Sequence, residues 1–213
     1  MVAKWHQMPI DTPCHFATMI RVQIATGLRE RKKERTRQVI IESAWELFLK
    51  KGYDATTVEE IAEAAVISRR TFFRYFPNKE AVVFHESPDR LSYFRSLLAR
   101  GGKGFEAVNH ACLEIARHYE ANKEAVVEEY KLIKSSATLI MREGEIDREW
   151  MVAIAETLVT RRSPAAVRRS RVLAGAVFGA IRATLNEWLS FDGSSDLVRL
   201  GKEAMSIFDP KST

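Results

Sequence analysis

Between Gly52 and Asn78 the chain carries three helix starts and two helix stops, with no strand-like alternation to compete with them. Gly52 ends one helix. Thr57-Val58-Glu59-Glu60 forms a capping box: the threonine hydroxyl accepts from the third helical amide, and the glutamate three residues on reaches back. Ser68 caps the next helix, and Ile67 ahead of it is placed to staple onto Phe72. Pro77 closes that helix, because the residue before a proline is pushed out of the α region. Asn78 then caps another. Upstream, Ile40, Ala44, Leu47 and Phe48 fall at i, i+4, i+7 and i+8, one face of a helix running from Lys33 to Gly52. Three helices thus fit into about 45 residues, the last two separated by Val66 and Ile67 alone, which is helix-turn-helix spacing.

The helix opened by Ser68 packs three arginines, three phenylalanines and a tyrosine into Ser68 to Phe76. On a helical wheel Phe72, Tyr75 and Phe76 share the side facing the preceding helices. Arg70, Phe73 and Arg74 point away, with Arg69 and Thr71 on the flanks. Such a face is either solvated or built to meet a polyanion, and Phe73 weighs against solvation. Arginine is also the side chain shaped for the major-groove edge of guanine. Charge elsewhere agrees. From Arg21 to Arg37 seven basic residues face two acids, an excess equal to the net charge of +5 on the whole chain. The stretch from Arg29 to Arg37, with Arg35 and Arg37, reads as a basic arm ahead of the first helix, able to reach phosphates or a minor groove. Residues 1–30 as a whole read as a flexible arm, with a short helical pattern over Thr18 to Ala25.

"RTRQVIIESAWELFLKKGYDATTVEEIAEAAVISRRTFFRYFPNKEAVV", Arg35 to Val83, resembles the DNA-binding domain of TetR-family transcriptional regulators. The resemblance lies in Ala44, Phe48, Gly52 and Tyr53, in the Thr-capped Ile61-Ala62, and in the S-x-x-T-x-F-x-Y-F-x-x-K run from Ser68. It implies phosphate contacts from Thr57, Thr71 and Lys79, base contacts from Arg69, Arg70 and Phe73, and a groove-edge role for Tyr75. Ser68 and Arg74 complete the expected DNA face. Val66 departs from the family, which has glycine there; a β-branched residue is disfavoured at positive φ, so the turn either changes shape or is strained. Phe73 replaces a common tyrosine.

The C-terminal half is also helical, punctuated at Ser87-Pro88, Gly101-Gly102, Gly144 and Ser163-Pro164. From Pro164, Leu173, Ala176, Val177, Ala180, Ile181, Thr184, Leu185 and Trp188 form one stripe, and Leu197, Leu200, Ala204, Met205 and Phe208 mark a final helix. Gly175, Gly179 and Ala183 recur every four residues. A mid-helix glycine costs about 1 kcal/mol against alanine, so either another helix approaches them or they pack on the chain's own core. The resemblance implies the first, a homodimer through the last two helices, with Leu197, Leu200 and Ala204 joining the interface. It also implies a pocket for a hydrophobic or aromatic small-molecule effector, with Phe105, His110, Tyr119, Tyr130, Met141, Trp150, Met151 and Phe178 as candidate lining residues.

The expected architecture is all-α: an N-terminal three-helix helix-turn-helix domain over 31–84, joined to an effector-binding and dimerisation domain over 85–213. Cys14 and Cys112 are too few for a disulfide framework and fit a reducing, cytoplasmic setting. No apolar run approaches membrane length, so no membrane partner is expected. His110, Glu114 and His118 lie at i, i+4 and i+8, but a polar helix face explains them and no metal is expected. Gly101-Gly102-Lys103-Gly104 lacks the spacing of a phosphate-binding loop. No cofactor and no enzymatic activity are expected. The sequence points to a regulator that binds double-stranded DNA at a palindromic operator and is released by its effector. The competing reading is a helical dimer that binds an effector or protein without operator recognition; Val66 favours it, while Arg69, Arg70 and Lys79 oppose it.

Overall fold

The structure, a computed structural model, describes residues 27–159 and 163–208. Residues 1–26 of the expected arm, with the Thr18 to Ala25 pattern, lie outside the described residues. The described residues form ten helices and no strand, the all-α class that the periodicity implies. Two compact units emerge: the chain up to Ser87 together with Lys131–Arg142, and Pro88–Tyr130 together with Glu143 onward.

In the first unit, α1 (Leu28–Lys51) buries Ile40, Ile41, Ala44, Trp45 and Phe48. It begins at Leu28 rather than Lys33, so Arg29 to Arg37 are its first turns and not an arm ahead of it. The reason is local: lysine, arginine and glutamate are good helix formers, nothing there breaks a helix, and Glu34 lies 3.8 Å from Arg37 one turn on. The start carries no side-chain cap, so no local residue pattern marks it.

The short helices follow their caps. For α2 (Val58–Ala64), the Thr57 hydroxyl accepts from the Glu60 amide at 3.2 Å, and the Glu60 carboxylate accepts from the Thr57 amide at 2.9 Å. Lys51 Nζ adds a contact to Glu60 at 2.6 Å. That lysine and the Thr57 donors hold the Glu60 carboxyl well below its usual range, at about 2. For α3 (Arg69–Tyr75), Ser68 Oγ accepts from the Thr71 amide at 3.1 Å. Asn78 Oδ1 accepts from the Ala81 amide at 2.8 Å and starts α4 (Glu80–Val83). Phe72 and Phe76 are buried against one another, as the wheel requires. Val66 stands in the α2–α3 turn at φ +54°, 90% exposed. The turn therefore keeps the left-handed shape that glycine takes, and valine bears the strain.

Six further helices follow: α5 (Ser87–Arg100), α6 (Phe105–Ala121), α7 (Lys123–Lys134), α8 (Ala137–Leu158), α9 (Pro164–Ser190) and α10 (Leu197–Ser206). The end of α7 and the start of α8 belong to the first unit. There the Ser136 hydroxyl, 2% exposed, donates to Asp54 in the α1–α2 loop at 2.8 Å. Gly144, expected as a break, lies inside α8. One glycine costs only about 1 kcal/mol in a helix, which the surrounding residues absorb.

The second unit has two apolar clusters, one around Phe94, Val108, Ile154 and Val177, the other around Trp188 and Leu197. Partly buried ion pairs tie its helices together. Arg90 (α5) grips Glu129 (α7) through two bonds, at 3.2 and 2.7 Å. Arg182 (α9) holds Glu143 and Asp147 (α8) at 2.8 and 3.4 Å.

Candidate functional site

Seven residues make a helix too short to stand alone, so α3 depends on its anchors. Phe72 is fully buried and sets the rotation, which leaves Arg69, Arg70, Phe73 and Arg74 exposed. Phe73 keeps 43% of its surface open, a large apolar ring among guanidiniums. The Arg69 guanidinium lies 5.4 Å from the Phe73 ring centroid and 2.9 Å from Glu59 of α2. Arg74 lies 5.3 Å from the ring of half-buried Tyr75. Arg70 is exposed beside them. The hydroxyls of Ser68 and Thr71 sit 2.9 Å apart at the start of the helix. The arrangement is an exposed basic-aromatic face, of a chemistry suited to a phosphate-lined groove.

Other residues expected at this face are placed differently. Arg35 is exposed on α1. Arg37 is partly buried: its guanidinium donates to the His85 carbonyl at 3.3 Å and lies 5.4 Å from the Phe76 ring. The Thr57 hydroxyl is engaged in its capping box, donating to Glu60 at 2.9 Å. Lys79 turns inward. Its ammonium donates to the carbonyls of Tyr53 and Thr56, each at 2.9 Å, and lies 4.1 Å from the Tyr53 ring. It therefore clips the α1–α2 loop to the start of α4, a role that the phosphate contact implied by the resemblance does not include.

In the second unit, α6, α9 and α10 line a half-open pocket of about 60 Å³ whose apolar lining includes Cys112, Ile115, Tyr119, Ile181, Leu185 and Met205. Of the eight expected lining residues only Tyr119 is among those around it. Met141 is 72% exposed and His110 is exposed, and neither lies around this pocket. Phe178 is core, and Trp150 stacks on Phe94 with centroids 4.5 Å apart. Phe105, Tyr130 and Met151 are partly buried packing residues. A readable signal did exist: Cys112, Ile115, Ala116 and Tyr119 step three, one, three along α6. Burial pushes the Cys112 thiol up to about 12. Burial also raises the Tyr119 phenol, against the opposing pull of Arg90.

The expected interface divides. Gly175, Gly179 and Ala183 are exposed on α9, and a Cβ at either glycine would meet nothing within 4 Å. The glycines therefore do not serve the chain's own core. Val172, 70% exposed, extends the same stripe. Of the α10 residues expected beside them, Leu197 is the one that the fold buries, while Leu200 and Ala204 stay partly exposed. Leu197 is 4% exposed, Leu200 packs on the Trp188 cluster, and Ala204 lines the pocket.

Comparison with known proteins agrees with this arrangement. Residues 40–85 match the family described as "Bacterial regulatory proteins, tetR family", and residues 103–211 match the "MftR C-terminal domain". The transcriptional regulator TcmR of Streptomyces glaucescens is 59% identical over 56 residues, 26% of this chain and 25% of that protein. The chain spans half or less of the length of TcmR and of two further regulators from Bacillus subtilis. Among solved structures, the repressor FadR of Thermus thermophilus in complex with lauroyl-CoA is 28% identical, with a TM-score of 0.51, covering 80% of this chain and 92% of that one. NalD of Pseudomonas aeruginosa, a repressor of a multidrug efflux pump, shares the fold at 19% identity and a TM-score of 0.61, covering 83% and 95%. A helix-turn-helix with a basic-aromatic second helix, followed by a helical unit that matches over half the chain, places this protein in the tetR family of bacterial regulatory proteins.

Proposed function

We propose that the protein is a homodimeric transcriptional repressor that reads a palindromic operator through paired α3 helices and leaves it when a small molecule binds the second unit. The observation that carries the reading is the outward face of α3, where Arg70, Phe73 and Arg74 are exposed together on a helix fixed by Phe72. A solvated face has no use for Phe73. A DNA groove does, since the ring can meet a thymine methyl while an adjacent guanidinium meets guanine. Val66 at a left-handed φ is compatible with a turn of the usual shape, so the residue that favoured a dimer without operator recognition does not argue against this reading. The site would serve DNA with Ser68, Thr71 and Tyr75 at the groove edge and Arg35 on the backbone. The open stripe of Gly175, Gly179 and Ala183 supports assembly with a second copy.

The apolar cavity, and the lauroyl-CoA bound by a FadR relative, favour an effector with an apolar chain or ring. Release would run through the α1–α2 loop, which Ser136 and Lys79 grip from two sides. Fluorescence anisotropy tests the reading. Duplexes selected from a random library by the purified protein should be palindromic and bind far more tightly than scrambled ones. Ligands that co-purify, identified by native mass spectrometry, should weaken that binding. Selection that yields no palindrome would end the repressor reading.

A further inference from the structure

We propose that Glu59, on α2, is a specificity-determining positioning residue for DNA reading: it holds Arg69 off the phosphates and aims its free edge at a base. The inference rests on the DNA-binding reading above. Glu59 Oε1 lies 2.9 Å from Arg69 Nη1, and the same guanidinium lies 5.4 Å from the Phe73 ring centroid. Two neighbours therefore fix one group, a carboxylate at one edge and an aromatic ring nearby. A guanidinium presents five N–H donors in a rigid fork. With the Nη1 side engaged by Glu59, the remaining donors form one oriented edge, which is what a bidentate contact to guanine needs.

The pair contributes little to folding. Both side chains are more than half exposed, and ion pairs in such surroundings contribute little to stability. The exposure matters for another reason. A carboxylate on the DNA-facing surface repels phosphates, and it neutralises a guanidinium that would otherwise bind the backbone of any sequence. Specificity is a difference between affinities, and it grows as readily by weakening the wrong partner as by favouring the right one. Arg70 has no such restraint beside it, so the two adjacent arginines have unequal freedom. Glu59 also sits in the first turn of α2, where an acid favours the helix dipole. A purely structural role is thus the alternative that the test must exclude.

The test uses the full chain, a duplex selected from a random library, and a scrambled duplex of equal length, titrated by anisotropy over a salt series. The variants are Glu59→Ala, Arg69→Ala and the double variant. Releasing Arg69 adds a phosphate contact on non-specific DNA. Glu59→Ala should therefore steepen the salt slope on the scrambled duplex by roughly one unit and tighten its binding about tenfold at low salt. The selected duplex should gain little, so discrimination falls. With Arg69 already alanine, removing Glu59 should leave the ratio of the two affinities within about twofold, since coupling requires both partners. Equal tightening on both duplexes, or the same loss of discrimination without Arg69, overturns the proposal in favour of a general charge effect. Failure of the wild-type protein to discriminate at all would instead remove the repressor reading, and this inference with it.

Discussion

Two faces of this chain stand uncovered, and they differ in chemistry more than in exposure. On α3, Arg70, Phe73 and Arg74 crowd a helix of seven residues; on α9, Val172, Gly175, Gly179 and Ala183 line one side of a helix of 27. The short helix is fixed by one buried ring and one serine cap, so its outward face is free to carry charge. The long helix can keep a smooth stripe over about three turns, although each glycine costs it about 1 kcal/mol. A charged face acts at a distance and weakens with salt; a small-residue face acts only through close contact and should be indifferent to salt. Under the proposed function the charged face meets DNA and the smooth face meets a second copy of the chain.

The largest effect should come from filling the smooth face. A Cβ at Gly179 meets nothing within 4 Å among the described residues, so in Gly179→Leu the helical fold and its circular dichroism should survive. Overpacking costs about 1–3 kcal/mol and is counted twice across a two-fold axis. The dimer should therefore weaken by roughly 2–6 kcal/mol, which sedimentation would register as monomer. An intact dimer would move the interface to another face of the molecule.

Lys79 comes next, because it separates fold from function on the DNA side. Its ammonium serves the carbonyls of Tyr53 and Thr56, and hydrogen bonds from charged groups contribute about 1.5–3 kcal/mol. Lys79→Met should cost about 2 kcal/mol of stability in urea denaturation and leave the salt slope of DNA binding unchanged. A slope shallower by about one unit would show that the lysine swings out to a phosphate.

The two regions also differ in how much their residues disclosed. In the first unit, caps and breakers act within three or four positions, so Thr57, Ser68, Pro77 and Asn78 announced their helices directly. Only the start of α1 escaped, because Gly27 offers no side-chain cap and the basic run has no apolar period. In the second unit, periodicity located apolar stripes but not the neighbour that each one meets. Leu197 and Gly179 both lie on regular helical stripes; one is buried in its own unit and the other faces open space. The same limit applies to Met141 and His110, whose helical spacing did not disclose that they are exposed. Which face of a helix is covered depends on how helices pack, and local spacing does not encode that.

Smaller effects sharpen the description of the first unit. Val66→Gly should raise stability by about 1 kcal/mol, since a left-handed non-glycine residue costs roughly 1–2 kcal/mol and glycine returns part of that as unfolded-state entropy. A lower melting temperature would show that the turn is not strained. Glu60 should matter only above acid pH. Its carboxyl is held at about 2, below the ordinary 4.5, so its contribution is complete above that ordinary value and lost as pH falls through 2. The stability difference between wild type and Glu60→Gln should accordingly shrink from pH 5 towards pH 2, as followed by urea denaturation; a constant difference would contradict the assignment.

The charged face faces its most direct test at Arg70, exposed on α3 and free of the restraint that Glu59 places on Arg69. Affinity for a selected palindromic duplex and for a scrambled one should be measured in parallel for wild type and Arg70→Ala. Loss of a base contact costs about 1–3 kcal/mol. Arg70→Ala should therefore bind the selected duplex roughly 5- to 150-fold more weakly, relax the preference at one base pair in each half-site, and lose much less on the scrambled duplex. Equal weakening on both duplexes, or no weakening on either, would contradict the claim that α3 reads sequence.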